Sequence, residues 1–187
     1  MRGRQLTYSG DMRTRPMKDR VRESVFNLLG PRIVGTHAID LFAGTGALGL
    51  EAISRGSVRA TLIERHLPTC KLIEANAREL EVANIVEVVF GDAFIWGRRL
   101  KERQAQTPPA IEPGPPWTVF CSPPFDFYTE RLEEMLALIE QMHAAAPEGS
   151  MLMVESDERF DLQRLLMPDA WDVRRYLPSI VAVLVKE

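Results

Sequence analysis

The 187-residue sequence predicts an α/β fold built on a mostly parallel, doubly wound sheet, and three observations predict it. Short apolar runs alternate with helix-periodic stretches from residue 18 to residue 166, the alternation that builds a parallel sheet. The first of those runs ends in a glycine-rich turn, Asp40-Leu41-Phe42-Ala43-Gly44-Thr45-Gly46, which opens a helix. The chain closes on two short strands around a turn, a hairpin that adds an antiparallel strand. A hydrophobic content of 45% and a charged content of 26% are ordinary for one domain with a full core. There is no internal repeat.

Residues 1–14 lack periodicity and read as an arm, with at most a strand near Gln5 to Tyr8. Pro16 stands at a helix start, and Lys18 to Leu29 sets Val21, Val25, Phe26, Leu28 and Leu29 on one face. Gly30-Pro31 ends that helix. Residues 38–42 read as a short buried first strand. Beyond Gly44 and Gly46 a helix carries Leu48, Ala52 and Ile53 at helical spacing and stops at Gly56. Arg59 to Glu64 is the second strand, Pro68 to Leu80 a helix, and Ile85 to Phe90 the third strand.

Pro108, Pro109, Pro113, Gly114, Pro115 and Pro116 make residues 107–116 a surface excursion between a short helix and the fourth strand, Trp117 to Cys121. Tyr128 to His143 is an amphipathic helix, Ser150 to Glu155 the fifth strand, and Phe160 to Leu166 a short helix. Trp171 to Leu177 and Ile180 to Val185 pair around Pro178-Ser179. Seven strands closing on a hairpin is the Rossmann-like layout of class I methyltransferases that use S-adenosyl-L-methionine (AdoMet). On that layout residues 1–30 are expected to form a basic arm and helix, and residues 31–187 a domain of the methyltransferase type.

Charge and cysteine usage exclude several classes. The total charge of −3 excludes a uniformly basic nucleic-acid binder, but residues 1–22 hold seven basic groups against two acids, a net of +5 that leaves −8 for the rest. That asymmetry describes a basic arm on an acidic body, or a solvated surface segment. No apolar run reaches the roughly 18 residues of a membrane helix, and the basic N-terminus is unlike a secretory signal. Cys70 and Cys121 have neither metal spacing nor a disulfide framework, so a reducing cytoplasm is expected and no metal.

The chemistry concentrates at strand ends. Gly44, Gly46 and Gly49 fit the G-x-G-x-x-G spacing of a dinucleotide site, Asp40 to Gly46 fits the D-x-x-x-G-x-G of an AdoMet site, and a ligand-free turn remains open. The two glycines permit a tight turn and expose amides at a helix N-terminus, where the dipole favours an anion. A carboxylate at Asp40 would meet a cation or a hydroxyl. Glu64, 24 positions after Asp40, suits ribose hydroxyls. Asp92 follows the third strand into the same crevice, as a cofactor contact or as a turn former.

Ser122-Pro123-Pro124-Phe125 stands directly after the fourth strand. Two prolines fix the backbone and leave carbonyls without local donors. Those carbonyls and the polar residue before them suit an amino group conjugated to a flat ring, with Phe125 stacked on the base. A rigid structural turn is the plainer alternative.

Thr14-Arg15-Pro16-Met17-Lys18-Asp19-Arg20-Val21-Arg22-Glu23-Ser24-Val25-Phe26-Asn27-Leu28-Leu29 closely resembles the T-R-P-T-x-D-R-V-R-E-x-L-F-N-I-L segment of the RsmD family, bacterial 16S ribosomal RNA guanine-N2 methyltransferases. Asp40 to Ala52 resembles that family's D-L-F-A-G-S-G-A-L-G-L-E-A, and Gly3-Arg4-Gln5-Leu6 its G-R-K-L. The resemblance implies AdoMet as cofactor, a guanine amino group as target, and 16S rRNA or a small-subunit assembly intermediate as partner. It implies no membrane and no metal, and a monomer is expected.

By matching position, Asp40, Gly44, Gly46, Glu64 and Asp92 would hold AdoMet, with their neighbours Phe42, Ala43, Thr45 and Ala93. Ser122, Pro123, Pro124 and Phe125 would hold the guanine and serve catalysis, and Arg13, Arg15, Arg20 and Arg22 would contact RNA phosphates or close the site. The chain departs from the family twice. The family's chains begin roughly ten residues earlier, so Met1 reads as a late or misassigned start. The family has Asp or Asn where this chain has Ser122, a neutral acceptor that supports developing positive charge less well. Two alternatives follow: a methyltransferase for another amino group in nucleic acid or protein, and an AdoMet-binding protein that has lost turnover. A nicotinamide oxidoreductase ranks below both.

Overall fold

The structure is a computed structural model and describes residues 17–106 and 114–187. The expected arm, its strand near Gln5 to Tyr8, Pro16, Arg13, Arg15 and most of the proline-rich run lie outside the described residues. In chain order the elements are α1 (Asp19–Leu29), β1 (His37–Asp40), α2 (Ala47–Ser54), β2 (Arg59–Glu64), α3 (Leu67–Glu79), β3 (Val86–Phe90) and α4 (Ala93–Gln106). Then come β4 (Trp117–Cys121), α5 (Phe127–Glu130), α6 (Leu132–Ala145), β5 (Met151–Ser156), β6 (Asp172–Tyr176) and β7 (Ser179–Val185).

The seven strands form one sheet in the order β3-β2-β1-β4-β5-β7-β6. The first five pair in parallel, and β7 runs antiparallel between β5 and β6. The expected α/β class, mostly parallel sheet and C-terminal antiparallel hairpin are all present. The order reverses between β1 and β4, and the carboxyl ends of strands at such a switch point frame a crevice.

Alternation along the strands sorts the core into two layers. Ala38, Phe120, Met151, Met153, Val181 and Val183 pack on one face with Val25, Phe26, Leu29, Leu48 and Ile73. Ile39, Val119, Cys121, Leu152, Val154, Ala182 and Leu184 pack on the other with Met135, Leu138, Ile139 and Met142. Strands covered on both faces read as unbroken apolar runs, which is why β4, β5 and β7 stand out in the sequence.

Four expectations change. The single helix over Tyr128 to His143 is two helices, because the chain breaks at Arg131 (φ −133°, ψ 32°). The helix over Phe160 to Leu166 is only a 3-10 turn at Leu162–Arg164, where the Asp161 side chain takes the Gln163 N–H and Pro168 bars extension. The helix before the proline run spans 14 residues and is not short. The first strand ends at Asp40, so Leu41 and Phe42 already belong to the glycine turn, although Leu41 N still donates to Phe120 O at 3.0 Å.

Candidate functional site

A crevice of about 450 Å³ opens at the carboxyl ends of the parallel strands. Its first wall is the turn from Phe42 to Thr45. Gly44 and Gly46 have φ of +51° and +79°, a region that penalises any residue with a Cβ. Gly49 serves packing instead: a Cβ there would meet Leu62 Cγ at 2.8 Å.

Neither turn amide is free. Gly44 N donates to Glu64 Oε2 at 2.9 Å, and Gly46 N donates to Ala43 O at 2.7 Å. The expectation of exposed amides is therefore corrected: the anion at this helix start is the chain's own Glu64, which also accepts from His66 N at 2.8 Å.

Asp40 needs a second correction. It ends β1 in the middle of the sheet, 1% exposed, and stands behind the crevice lining rather than at the open strand end expected to meet a cation or hydroxyl. Its Oδ2 accepts from Gly49 N at 3.3 Å, which ties α2 to the strand beneath it. Burial pushes its pKa up to about 7. Gly46 likewise stands behind the wall.

Glu64, Asp92 and Ala93 line the crevice. Asp92 Oδ1 accepts from Phe94 N at 2.8 Å and Ile95 N at 3.2 Å, so it caps α4 while Oδ2 stays 3.9 Å from Arg131 Nη1. The floor is aromatic. The rings of Phe42, Phe94 and Phe127 lie 5.9–6.0 Å apart, and the Arg131 guanidinium sits 3.9 Å above Phe94.

The turn after β4 faces this floor, and Ser122, Pro123, Pro124 and Phe125 all line the crevice. Pro124 O accepts from Phe127 N at 3.0 Å, so one of the carbonyls expected to be free is spent on starting α5. The Pro123 carbonyl has no N–H donor among the described residues. Ser122 Oγ donates to Glu155 Oε2 at 2.5 Å. Behind the turn, burial pushes the Cys121 thiol up to about 12 and the Tyr128 phenol well above its ordinary value.

Several lining residues have no role in the sequence reading. Glu155 ends the apolar run of β5, and the strand-end rule that singles out Glu64 and Asp92 applies equally to it. Arg159 joins Asp126 at 2.9 Å and Asp157 at 2.8 Å, bridging the loops after β4 and β5. Met17, Lys18, Arg65, Pro178 and Ser179 complete the rim. Arg20 and Arg22 do not line it: Arg20 is exposed on α1, and Arg22 pairs with Asp19 at 2.9 Å. Among the described residues no helix is long and apolar enough to cross a membrane, and no group of three or more His, Cys, Asp or Glu gathers as for a metal.

A family profile described as Conserved hypothetical protein 95 matches residues 1–176. The chain is 37% identical over 174 residues to Ribosomal RNA small subunit methyltransferase D of Escherichia coli strain K12, spanning 93% of this chain and 79% of that protein. A solved Escherichia coli structure, described as a candidate methyltransferase yhhF, superposes with a TM-score of 0.72 at 29% identity, covering 100% of this chain and 94% of that one. An RNA methyltransferase from Salinibacter ruber, solved with S-adenosyl-L-homocysteine, shares the fold at a TM-score of 0.64 and 19% identity, over 92% of this chain and 95% of that one. The architecture is that of the class I AdoMet-dependent methyltransferases.

Proposed function

The chain belongs to the Conserved hypothetical protein 95 family, the RsmD family that its sequence resembles, and on that premise we propose that it methylates the exocyclic N2 of a guanine in 16S rRNA, with AdoMet as donor. The observation that carries the reading is the meeting of two turns: Ser122 to Phe125 and Phe42 to Thr45 line one crevice.

The residues present fit AdoMet. At Gly44 the space where a Cβ would stand is open, with Phe42 O the nearest atom at 3.9 Å, so a ligand can approach the backbone closely. Glu64 offers two carboxylate oxygens for ribose hydroxyls, and Asp92 with Ala93 closes the far end beside the aromatic floor. Asp40 and Gly46 act from behind, by setting the turn. When bound, AdoMet supplies a methyl group on a sulfonium.

The chain's residues then orient the acceptor. Phe125 stacks on the base, the Pro123 carbonyl accepts one amino N–H, and Ser122 Oγ accepts the other. The rate comes from positioning and electrostatics, without a covalent enzyme intermediate.

Lys18 at the rim and the exposed Arg20 support an RNA approach along the start of α1. In this reading they meet phosphates together with Arg13, Arg15 and Arg22 of the same sequence segment, and binding weakens as salt rises. The target base leaves its stack to enter the crevice.

The test is transfer from labelled AdoMet to small-subunit particles lacking guanine-N2 methylation, followed by nucleoside analysis. N2-methylguanosine is the expected product. Label in another nucleoside moves the target. AdoMet binding with no label transferred overturns the reading in favour of a protein that keeps the pocket without turnover.

A further inference from the structure

We propose that Glu155 is the positioning partner of Ser122 and the final acceptor of the proton shed by the methylated nitrogen, so that the two side chains together act as one strand-end carboxylate. This rests on the functional reading above and assigns the acid that the sequence lacks at position 122.

The placement follows from strand register. β4 and β5 pair in parallel with Cys121 opposite Val154; Ser122 follows directly on the end of β4, and Glu155 follows Val154 within β5. Both therefore turn to the same side at the same height, and both line the crevice. Glu155 is 5% exposed.

Among the described residues no Lys, Arg or His pairs with Glu155. The nearby Arg159 is engaged by Asp126 and Asp157 instead. A buried carboxylate without a cation is expensive to keep for stability alone. Among the described residues its side-chain hydrogen bond comes from the Ser122 hydroxyl at 2.5 Å, a length suited to a charge-assisted O–H···O⁻ bond.

That contact decides what Ser122 can do. With its own proton committed to Glu155, the Ser122 oxygen has both lone pairs left for an incoming N–H. The chain N–H to Oγ–H to Oε2 polarises along its length, which makes Oγ a better acceptor than a lone serine.

In the step itself an N–CH₃ bond forms and the donor's S–CH₃ bond breaks, turning a sulfonium into a thioether. The nitrogen becomes cationic and sheds one proton to Ser122 Oγ, while the original Ser122 proton moves to Glu155 Oε2. Glu155 ends neutral and returns the proton to water through the crevice.

The test uses the full-length protein with AdoMet and small-subunit particles, reading single-turnover methyl transfer and AdoMet affinity side by side. Glu155→Gln should slow transfer about 100-fold, within the range of general-base losses, with AdoMet affinity unchanged. Ser122→Asp in the Glu155→Gln background should recover at least about tenfold, because the carboxylate then stands directly before the prolines. Ser122→Ala should match Glu155→Gln, and the double variant should be no slower than either single one.

Wild-type transfer by Glu155→Gln overturns the inference while leaving the functional reading intact, and so does a loss that Ser122→Asp fails to rescue. If Glu155→Gln does not fold, Ser122→Ala decides alone: wild-type transfer overturns the inference. Absence of transfer by the wild-type protein overturns the functional reading, and this inference with it.

Discussion

The two ends of the parallel strands treat polar groups in opposite ways. At the amino ends buried hydroxyls close on one another and on an uncharged histidine, and Glu87 takes the Thr61 hydroxyl at 3.2 Å. Thr36 Oγ1 donates to Ile33 O at 2.8 Å and contacts Ser57 Oγ at 3.1 Å and Thr118 Oγ1 at 2.9 Å. His37 Nε2 meets Thr61 Oγ1 at 2.9 Å, and burial followed by the nearby Arg59 lowers its pKa to about 4, so it is uncharged near neutrality. At the carboxyl ends Glu64, Asp92 and Glu155 line one crevice, with Asp40 buried behind it. Buried hydroxyls satisfied by each other stabilise a fold, whereas carboxylates held beside an open crevice keep capacity for a ligand. The same strands thus separate stability from function by their two ends.

Thr36→Val tests the amino end and carries the largest effect. It preserves shape but removes the shared hydroxyl, leaving Thr118 and Ser57 short of a partner. The loss of stability should be about 3 kcal/mol in a urea titration, with AdoMet affinity unchanged by calorimetry. A shift in affinity comparable to the loss of stability would break the division between the ends.

Asp40 and His37 sharpen the comparison, because their pH dependences run in opposite directions. Burial raises Asp40 from 3.8 to about 7, so the fold favours its protonated form. That contribution is complete below the unfolded pKa and fades as pH rises through the folded one. Between pH 5 and pH 8 the wild-type protein should lose roughly 2 kcal/mol from this group, and Asp40→Asn should not. His37 is lowered from 6.5 to about 4, so its contribution is present above 6.5 and fades as pH falls toward 4. Urea titrations at pH 5 and pH 8 check both: Asp40→Asn should gain on the wild type only at pH 8, and the Asp40→Asn protein should itself gain stability from pH 5 to pH 8 through His37.

Glu64→Gln comes next. It keeps one acceptor oxygen and loses the charge. AdoMet affinity should fall about tenfold, or about 1.4 kcal/mol, with a smaller change in the unfolding midpoint. A midpoint that falls while affinity holds would assign Glu64 to the Gly44 and His66 amides alone.

Much of this was legible in the sequence, for a physical reason. Strands covered on both faces must be apolar throughout, so β4, β5 and β7 announce themselves, and the glycines at 44 and 46 mark a turn that only glycine makes easily. Depth was not legible. Asp40 looks like Glu64 as a strand-end acid, yet β1 is flanked by β2 and β4, and α2 covers its last residue. Contacts between distant segments were not legible either. The break at Arg131 goes with side-chain contacts to Phe94 and Glu134, and no helical periodicity reports those. Glu155 is an intermediate case. Its position at a strand end is visible in the sequence, but its contact with Ser122 needs the β4–β5 register.

The smallest effect belongs to Arg159, which separates the crevice from its scaffold most finely. Its ion pairs with Asp126 and Asp157 join the loops after β4 and β5, and half of its side chain is exposed. Exposed pairs add little to stability because water and salt screen them. Arg159→Met should therefore leave the unfolding midpoint in place. The bridge does set the spacing between the loop that follows Ser122 and the loop that follows Glu155, so methyl transfer should fall by about two- to threefold, in keeping with the sensitivity of transfer to small misplacement. Raising the salt should slow the wild-type protein and narrow its gap from the variant, measured with a saturating short RNA so that phosphate contacts do not limit. A gap that stays constant with salt would mean that the aliphatic stem of Arg159, rather than its charge, sets the distance between the loops.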